Sequence, residues 1–202
     1  MSHLNYLPGY EIYRDVDGNG KFEEGKDETI VGNPHPDFEF GFHSSFRYKN
    51  FDLSFLINGV VGNDIFNAMW VPLTYEFYGE GNGLKDYYKN SWRGPGTTNR
   101  YPRNYRWDGR EADFRRVSTA YIEDGSYVRL RNITLGYSIP FKKSFPVQLR
   151  IYVAGDNLVT LTNYSWFNPE VSAFGNNATA MGIDMGTYPA AKIYRFGVQL
   201  GF

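Results

Sequence analysis

The chain has no cysteine. That excludes disulfide staples and thiolate chemistry, and it leaves the redox compartment open. It has no run of ~18 apolar residues, so no helix of it spans a bilayer. Its histidines are only His3, His35 and His43. None stands in a metal-pairing spacing, and there is no Gly-x-Ser-x-Gly elbow. Gly79-Glu80-Gly81-Asn82-Gly83 lacks the flanking strand and helix of a phosphate loop. Loop acids are abundant, but no spacing marks an acid/base pair, so an enzyme is not expected. Net charge is −1, which gives no global pull toward nucleic acid. The opening Met1-Ser2-His3-Leu4-Asn5-Tyr6-Leu7-Pro8 lacks the basic and apolar regions of a signal peptide.

What the chain has in excess is aromatic residues, 18% of 202 positions, with 17 Tyr, 16 Phe and 4 Trp. Aromatic girdles at both membrane interfaces account for such an excess, and so does a sugar-binding β-protein. A hydrophobic fraction of 42% excludes disorder by composition. The end of the chain is the most regular stretch. Tyr194, Phe196, Val198, Leu200 and Phe202 take every second position, with Arg195, Gly197, Gln199 and Gly201 between them. Side chains alternate across a strand, so one face is apolar and the other polar or bare. Residues 192–202 span roughly 36 Å at ~3.3 Å each. Tilted by ~45°, they cover the ~25 Å apolar band of a transmembrane barrel. A long edge strand of a soluble sandwich is the plainer alternative.

Four further strands are expected, at about 37–48, 51–61, 126–139 and 147–157. In the first, Phe38, Phe40, Phe42, Phe46 and Tyr48 share a face, on which Ser44 is the one polar residue. Lys49-Asn50 makes a two-residue reversal. The return strand puts Phe51, Leu53, Phe55, Ile57, Gly59 and Val61 on one face, with Leu56 and Val60 as exceptions on the other. Ile133, Leu135, Tyr137 and Ile139 alternate with Asn132, Thr134, Gly136 and Ser138, and Arg129 and Arg131 fall in phase with the apolar row. That phase predicts both arginines near lipid headgroups, where Arg is tolerated at modest cost. Val147, Leu149, Ile151 and Val153 form the next row. Long loops are expected at 62–125 and 158–191.

The fold class is therefore all-β, with about five antiparallel strands of a large transmembrane barrel and long extracellular loops. The connections run short, long, short, long, so the parity is consistent. Barrels of this kind have eight strands or more, and five cannot close. The chain thus reads as the last part of a larger barrel, whose natural N-terminus, with its signal peptide, lies upstream.

Residues 1–36 carry turn chemistry and are read as an extracellular loop. Asp15-Val16-Asp17-Gly18-Asn19-Gly20-Lys21 matches the first half of a calcium loop: Asp15, Asp17 and Asn19 as ligands, the Lys21 backbone carbonyl as a fourth. Position twelve, where a bidentate acid belongs, is Lys26. Glu23, Glu24 and Asp27 lie close enough to substitute. The candidate site is thus Asp15, Asp17, Asn19, Lys21, Glu23 and Asp27, for calcium or magnesium. No other cofactor is expected, and a plain Asp/Asn/Gly turn is the alternative.

The order of motifs resembles the C-terminal end of the SusC/RagA family of TonB-linked outer-membrane transporters of Bacteroidetes. The resemblance rests on Tyr13 to Gly20, Ile30 to Phe38, Gly59 to Asn67 and Tyr121 to Tyr137. It continues through Asn157-Leu158, Asn168-Pro169-Glu170-Val171, Tyr188-Pro189 and the terminal Phe202. Tyr194, Phe196, Val198, Leu200 and Phe202 also resemble the signal that barrel proteins present to the barrel assembly machinery. The resemblance implies a barrel of about 22 strands with an N-terminal plug, in the bacterial outer membrane. It implies nutrient uptake of oligosaccharide or peptide cargo, a SusD-like lipoprotein as lid, surrounding outer-membrane lipid, and energy from the TonB complex through the missing N-terminal part.

Cargo or lid would meet the loops. Trp70, Tyr75, Tyr78, Trp92, Tyr101, Trp107 and Trp166 are the residues suited to stacking on sugar rings and filling interface pockets. Seven arginines stand between 93 and 116, against three acids, giving that stretch a net charge of +4. Anionic cargo, lipopolysaccharide phosphates or plain solvation fit it better than nucleic acid, which is not an expected partner. The rival to the transporter is a secreted β-sandwich that binds glycans through loop aromatics. It predicts two stacked sheets with their apolar faces turned inward.

Overall fold

A computed structural model describes residues 8–9, 11–74, 82–103, 117–141, 147–171, 173–175 and 177–201. In chain order the elements are β1 (Phe38–Tyr48), β2 (Phe51–Val61), β3 (Asp64–Asn67), α1 (Trp70–Thr74), α2 (Lys85–Asn90), β4 (Ile122–Asp124), β5 (Tyr127–Ile139), β6 (Gln148–Thr162), β7 (Ile183–Asp184) and β8 (Ile193–Gly201). The chain divides into two compact units, Met1–Gly32 with Asn67–Ile122, and Asn33–Phe66 with Glu123–Phe202.

The second unit holds a five-stranded antiparallel sheet in the order β1-β2-β5-β6-β8. The β1–β2 hairpin closes at Lys49, whose φ of 53° is the left-handed conformation a two-residue loop requires at a central position. Register carries the apolar alternation across all five strands. One row reads Tyr48, Phe51, Tyr137, Ile151 and Val198, and the next Phe46, Leu53, Leu135, Val153 and Phe196. This face is not packed. Phe196 is 82% exposed, and Phe38, Phe42, Phe46, Val198 and Leu200 are each more than half exposed. No second sheet covers it among the described residues, so the inward-turned sandwich is not favoured. A water-soluble protein would forfeit about 1.5–3 kcal/mol for each large apolar side chain left this way. The sheet is an open part of a barrel wall whose other strands are not in this chain.

Two expectations change. β6 continues to Thr162, where a loop from 158 was expected, because Val159 to Thr162 pair with Leu130 to Tyr127. Period two fails to reveal this because the ladder is interrupted: the register shifts between Leu130 and Asn132, and Asn157 takes φ 53°. The same shift corrects Arg129 and Arg131. Arg131 is the extra residue of a bulge, so Leu130 pairs with Ile57 on the apolar face and Arg129 with Asn58 on the polar one. Arg129 is 1% exposed and faces no headgroup.

The stretch 62–125 also holds structure where a loop was expected. β3 lies between β4 and β7 in a small sheet centred on the fully buried Ile65. Asp184, also fully buried, accepts from Tyr164 Oη at 2.6 Å and from the backbone N–H groups of Gly186 and Thr187. Burial, then the Asp184 carboxylate, raises the Tyr164 phenol well above its usual range.

Candidate functional site

In the first unit the loop 15–27 brings Asp15, Asp17 and Asp27 together, with one carboxylate oxygen of each within 4.8 Å of the others. Backbone amides build the cluster. Gly18 and Asn19 donate to Asp15 Oδ1 and Gly20 to Oδ2, while Val16 and Glu23 donate to the two oxygens of Asp27. The glycines at 18 and 20, with φ of 77° and 79°, allow the chain to wrap the acid so tightly. The N–H groups of Glu23, Val16 and Asp17 hold the Asp27 carboxyl below the usual carboxylate range. Glu23 stands aside from the trio. It accepts from Lys26 Nζ and Asn19 Nδ2, and the Lys26 hydrogen bond lowers its pKa. Asn19 Oδ1 accepts from the Lys21 amide. Three converging carboxylates are a hard-oxygen donor set with mutually repelling charges, which fits calcium or magnesium. Asp27, not the twelfth residue, supplies the third acid.

The same unit gathers loop aromatics. Tyr87 is buried, its ring 5.3 Å from that of Tyr101, which also faces Trp70 at 6.4 Å. Tyr101 Oη donates to Asp86 at 2.9 Å, and burial followed by this bond raises its pKa. Trp92 lies over Gly9, where a Cβ would come within 2.3 Å of the indole. Guanidinium groups cap two rings: Arg93 over Tyr88 and Arg100 over Tyr101. Trp166 belongs to the second unit, where it packs on the exposed Phe167 at 4.9 Å with its Nε1 buried and without a hydrogen-bond partner among the described residues. Tyr75, Tyr78, Trp107 and Phe202 lie outside the described residues.

The polar face of the five-stranded sheet carries three clusters of charged and polar side chains. Arg150 donates to both oxygens of Asp52, at 2.9 and 2.5 Å, and reaches Gln199 at 2.9 Å. It lies flat over Gly136, where a Cβ would stand 2.4 Å from the guanidinium. Asp156 accepts from Asn132 and Arg195. Toward the other end Arg129 donates to Thr160 Oγ1 at 2.9 Å, to Asn168 Oδ1 at 2.7 Å and to Glu170. Arg131 and Tyr127 Oη complete the shell of the Glu170 carboxylate. Burial pushes that carboxyl up, but the Tyr127 hydrogen bond and the arginine charges outweigh it and leave the pKa below its usual value. This cluster was missed from sequence. Its signal was two arginines two apart within a strand, Arg129 and Arg131, with Glu170 some forty residues on.

Tyr194, Phe196, Val198 and Leu200 form one exposed row along β8, the outermost strand of the sheet.

No family model matches the chain. It is 36% identical over 202 residues to TonB-dependent receptor P3 of Formosa agariphila, covering 96% of this chain and 19% of that protein. To TonB-dependent receptor SusC of Bacteroides thetaiotaomicron it is 28% identical, covering 98% and 18%. Among solved structures, the RagAB peptide importer in its closed-closed state superimposes with a TM-score of 0.70 at 26% identity, over 98% of this chain and 21% of that one. The chain thus spans about a fifth of the length of the relatives it matches.

Proposed function

Because this chain is, over nearly its whole length, a homologue of the SusC/RagA-type TonB-dependent receptors, we propose that it forms five C-terminal wall strands of an outer-membrane nutrient importer. The single observation that carries the reading is the two-sided sheet. One face is apolar apart from Ser44 and uncovered among the described residues, and the other carries ion pairs. A lipid-facing wall around a polar lumen requires that combination. The Asp52–Arg150 and Asp156–Arg195 pairs then line the lumen side, where charge is accommodated by water and by an upstream plug.

In this reading the cargo is an oligosaccharide or peptide too large for a porin. A SusD-like lipoprotein acts as lid, and the TonB complex acts through an upstream segment. The chain itself performs no catalysis. Trp70, Trp92 and Trp166 contact cargo or lid. The 15–27 loop holds a divalent cation through Asp15, Asp17 and Asp27, and the cation stiffens an outward-facing loop. The alternating row of β8 serves the barrel assembly machinery.

Spin labels at Phe38, Phe40, Phe55, Leu135, Ile151 and Phe196 of the whole receptor in lipid vesicles test the reading. Oxygen accessibility with exclusion of a polar relaxer is expected at all six. Protection from both reagents would mean a covered protein core and would overturn it.

A further inference from the structure

We propose that the apolar face carries a built groove for one acyl chain of an anionic glycerophospholipid. This rests on the membrane reading above. The register shows how the groove arises. Phe51 and Tyr137 are cross-strand partners with ring centroids 4.7 Å apart, and together they raise one wall. Phe196 projects from β8 as the other. Between them the shorter side chains of Leu135, Ile151 and Val153 form the floor. The result is an open trough of about 590 Å³ with no charged side chain in its lining. That volume lies within the ~300–1,000 Å³ of ordinary ligand clefts. A flat wall touches a lipid chain on one side only. A trough touches it on three, and dispersion contacts add up over that area.

The position of the groove selects the headgroup. Phe51 is the first residue of β2, and Tyr137 lies two residues before the end of β5. The groove therefore sits in the half of the sheet nearest the short β1–β2 and β5–β6 connections. In sequence these connections carry Lys49, Lys142 and Lys143 and no acid. Lys49 Nζ stands 5.3 Å from the ring centroid of Tyr48, at the rim of the apolar face and two residues from Phe51. An acyl slot with the Lys49 ammonium at its rim, and without an acid paired to that ammonium among the described residues, is complementary to a lipid with an anionic phosphate head. By the strand parity this is the periplasmic leaflet.

The test uses the whole receptor on a cysteine-free background, with a bimane label at Val198→Cys in the groove or at Phe42→Cys on the same belt outside it. It is reconstituted in phosphatidylethanolamine with increasing brominated phosphatidylglycerol. The groove label is expected to reach half-quenching at a mole fraction at least about threefold lower than the belt label. Lys49→Gln brings the two curves closer together. In a label-free check by native mass spectrometry, Leu135→Trp, which fills the floor, removes a retained phosphatidylglycerol. Identical curves at both labels mean annular lipid only and overturn the groove while leaving the membrane reading intact. Quenching of both labels by aqueous acrylamide instead of bromolipid overturns the membrane reading, and the groove with it. Protection of the groove label alone from both quenchers means a protein surface covers it and overturns the lipid assignment.

Discussion

Arg129 and Glu170 stand 41 residues apart in the chain and meet as an ion pair on the polar face of the sheet, with Arg129 almost wholly enclosed. The pair seats the segment that follows β6 against the barrel wall, since Asn168 binds the same guanidinium.

Removing the cation leaves the half-buried Glu170 one charged partner short and takes the guanidinium from Asn168 and Thr160. Arg129→Met is therefore expected to cost about 3 kcal/mol, seen as a lower denaturant midpoint and faster protease cleavage in 163–171. Thr160→Val, which removes one neutral bond to the same group, costs about 1 kcal/mol. Equal, negligible effects in both variants would show that the cluster seats nothing.

The two faces of β8 differ in what they tolerate. Phe196→Arg places a charge on the uncovered apolar row and is expected to cost about 2–4 kcal/mol if it lies near the bilayer midplane. Gln199→Arg, on the polar face beside Arg150, is accommodated by the lumen. Receptor recovered in the outer-membrane fraction is the measurement, and a similar loss in both would contradict the assigned faces.

Gly182 holds φ 68°, and a Cβ there would sit 2.7 Å from Pro34 and 2.9 Å from the Asp64 carbonyl oxygen. Gly182→Ala is expected to destabilise by about 1–3 kcal/mol, through backbone strain and contact with groups that cannot retreat. Gly41→Ala meets nothing within 4 Å and is expected to be neutral. Thermal unfolding of the two variants decides it.

The acidic loop should respond to pH and to cation in a linked way. Asp27 has a lowered carboxyl pKa in the fold. The stability it contributes is therefore complete above the unfolded value of ~3.9 and is lost as pH falls through the lower folded value. Calcium binding, followed by calorimetry on the whole receptor, is expected to weaken over the same acidic range. Asp15→Asn with Asp17→Asn should reduce affinity at least about tenfold at neutral pH, as two of three charged ligands are neutralised. Calcium affinity unchanged in the double variant would remove the site.

Much of the wall was readable along the chain. The rows of Phe38 to Tyr48 and Tyr194 to Leu200 follow from period two, which is set by backbone geometry within a single strand and needs no partner to appear. Lys49-Asn50 announced its hairpin for a similar local reason. Other features depend on pairing between distant segments. The bulge at Arg131 turned Arg129 from the apolar row to the polar face, because register is fixed by the neighbouring strands and one extra residue reverses every phase beyond it. The extension of β6 to Thr162 exists because β5 offers a ladder there. Asp27 was a candidate from sequence alongside Glu23 and Glu24, and it is the one that joins Asp15 and Asp17 because the loop folds back eleven residues to Val16. Local alternation thus wrote the faces of the strands into the chain itself. Register, bulge phase and the meeting of charges across the polar wall arose only where strands far apart in sequence came to lie side by side, since hydrogen-bond ladders and ion pairs are made between segments and not within them.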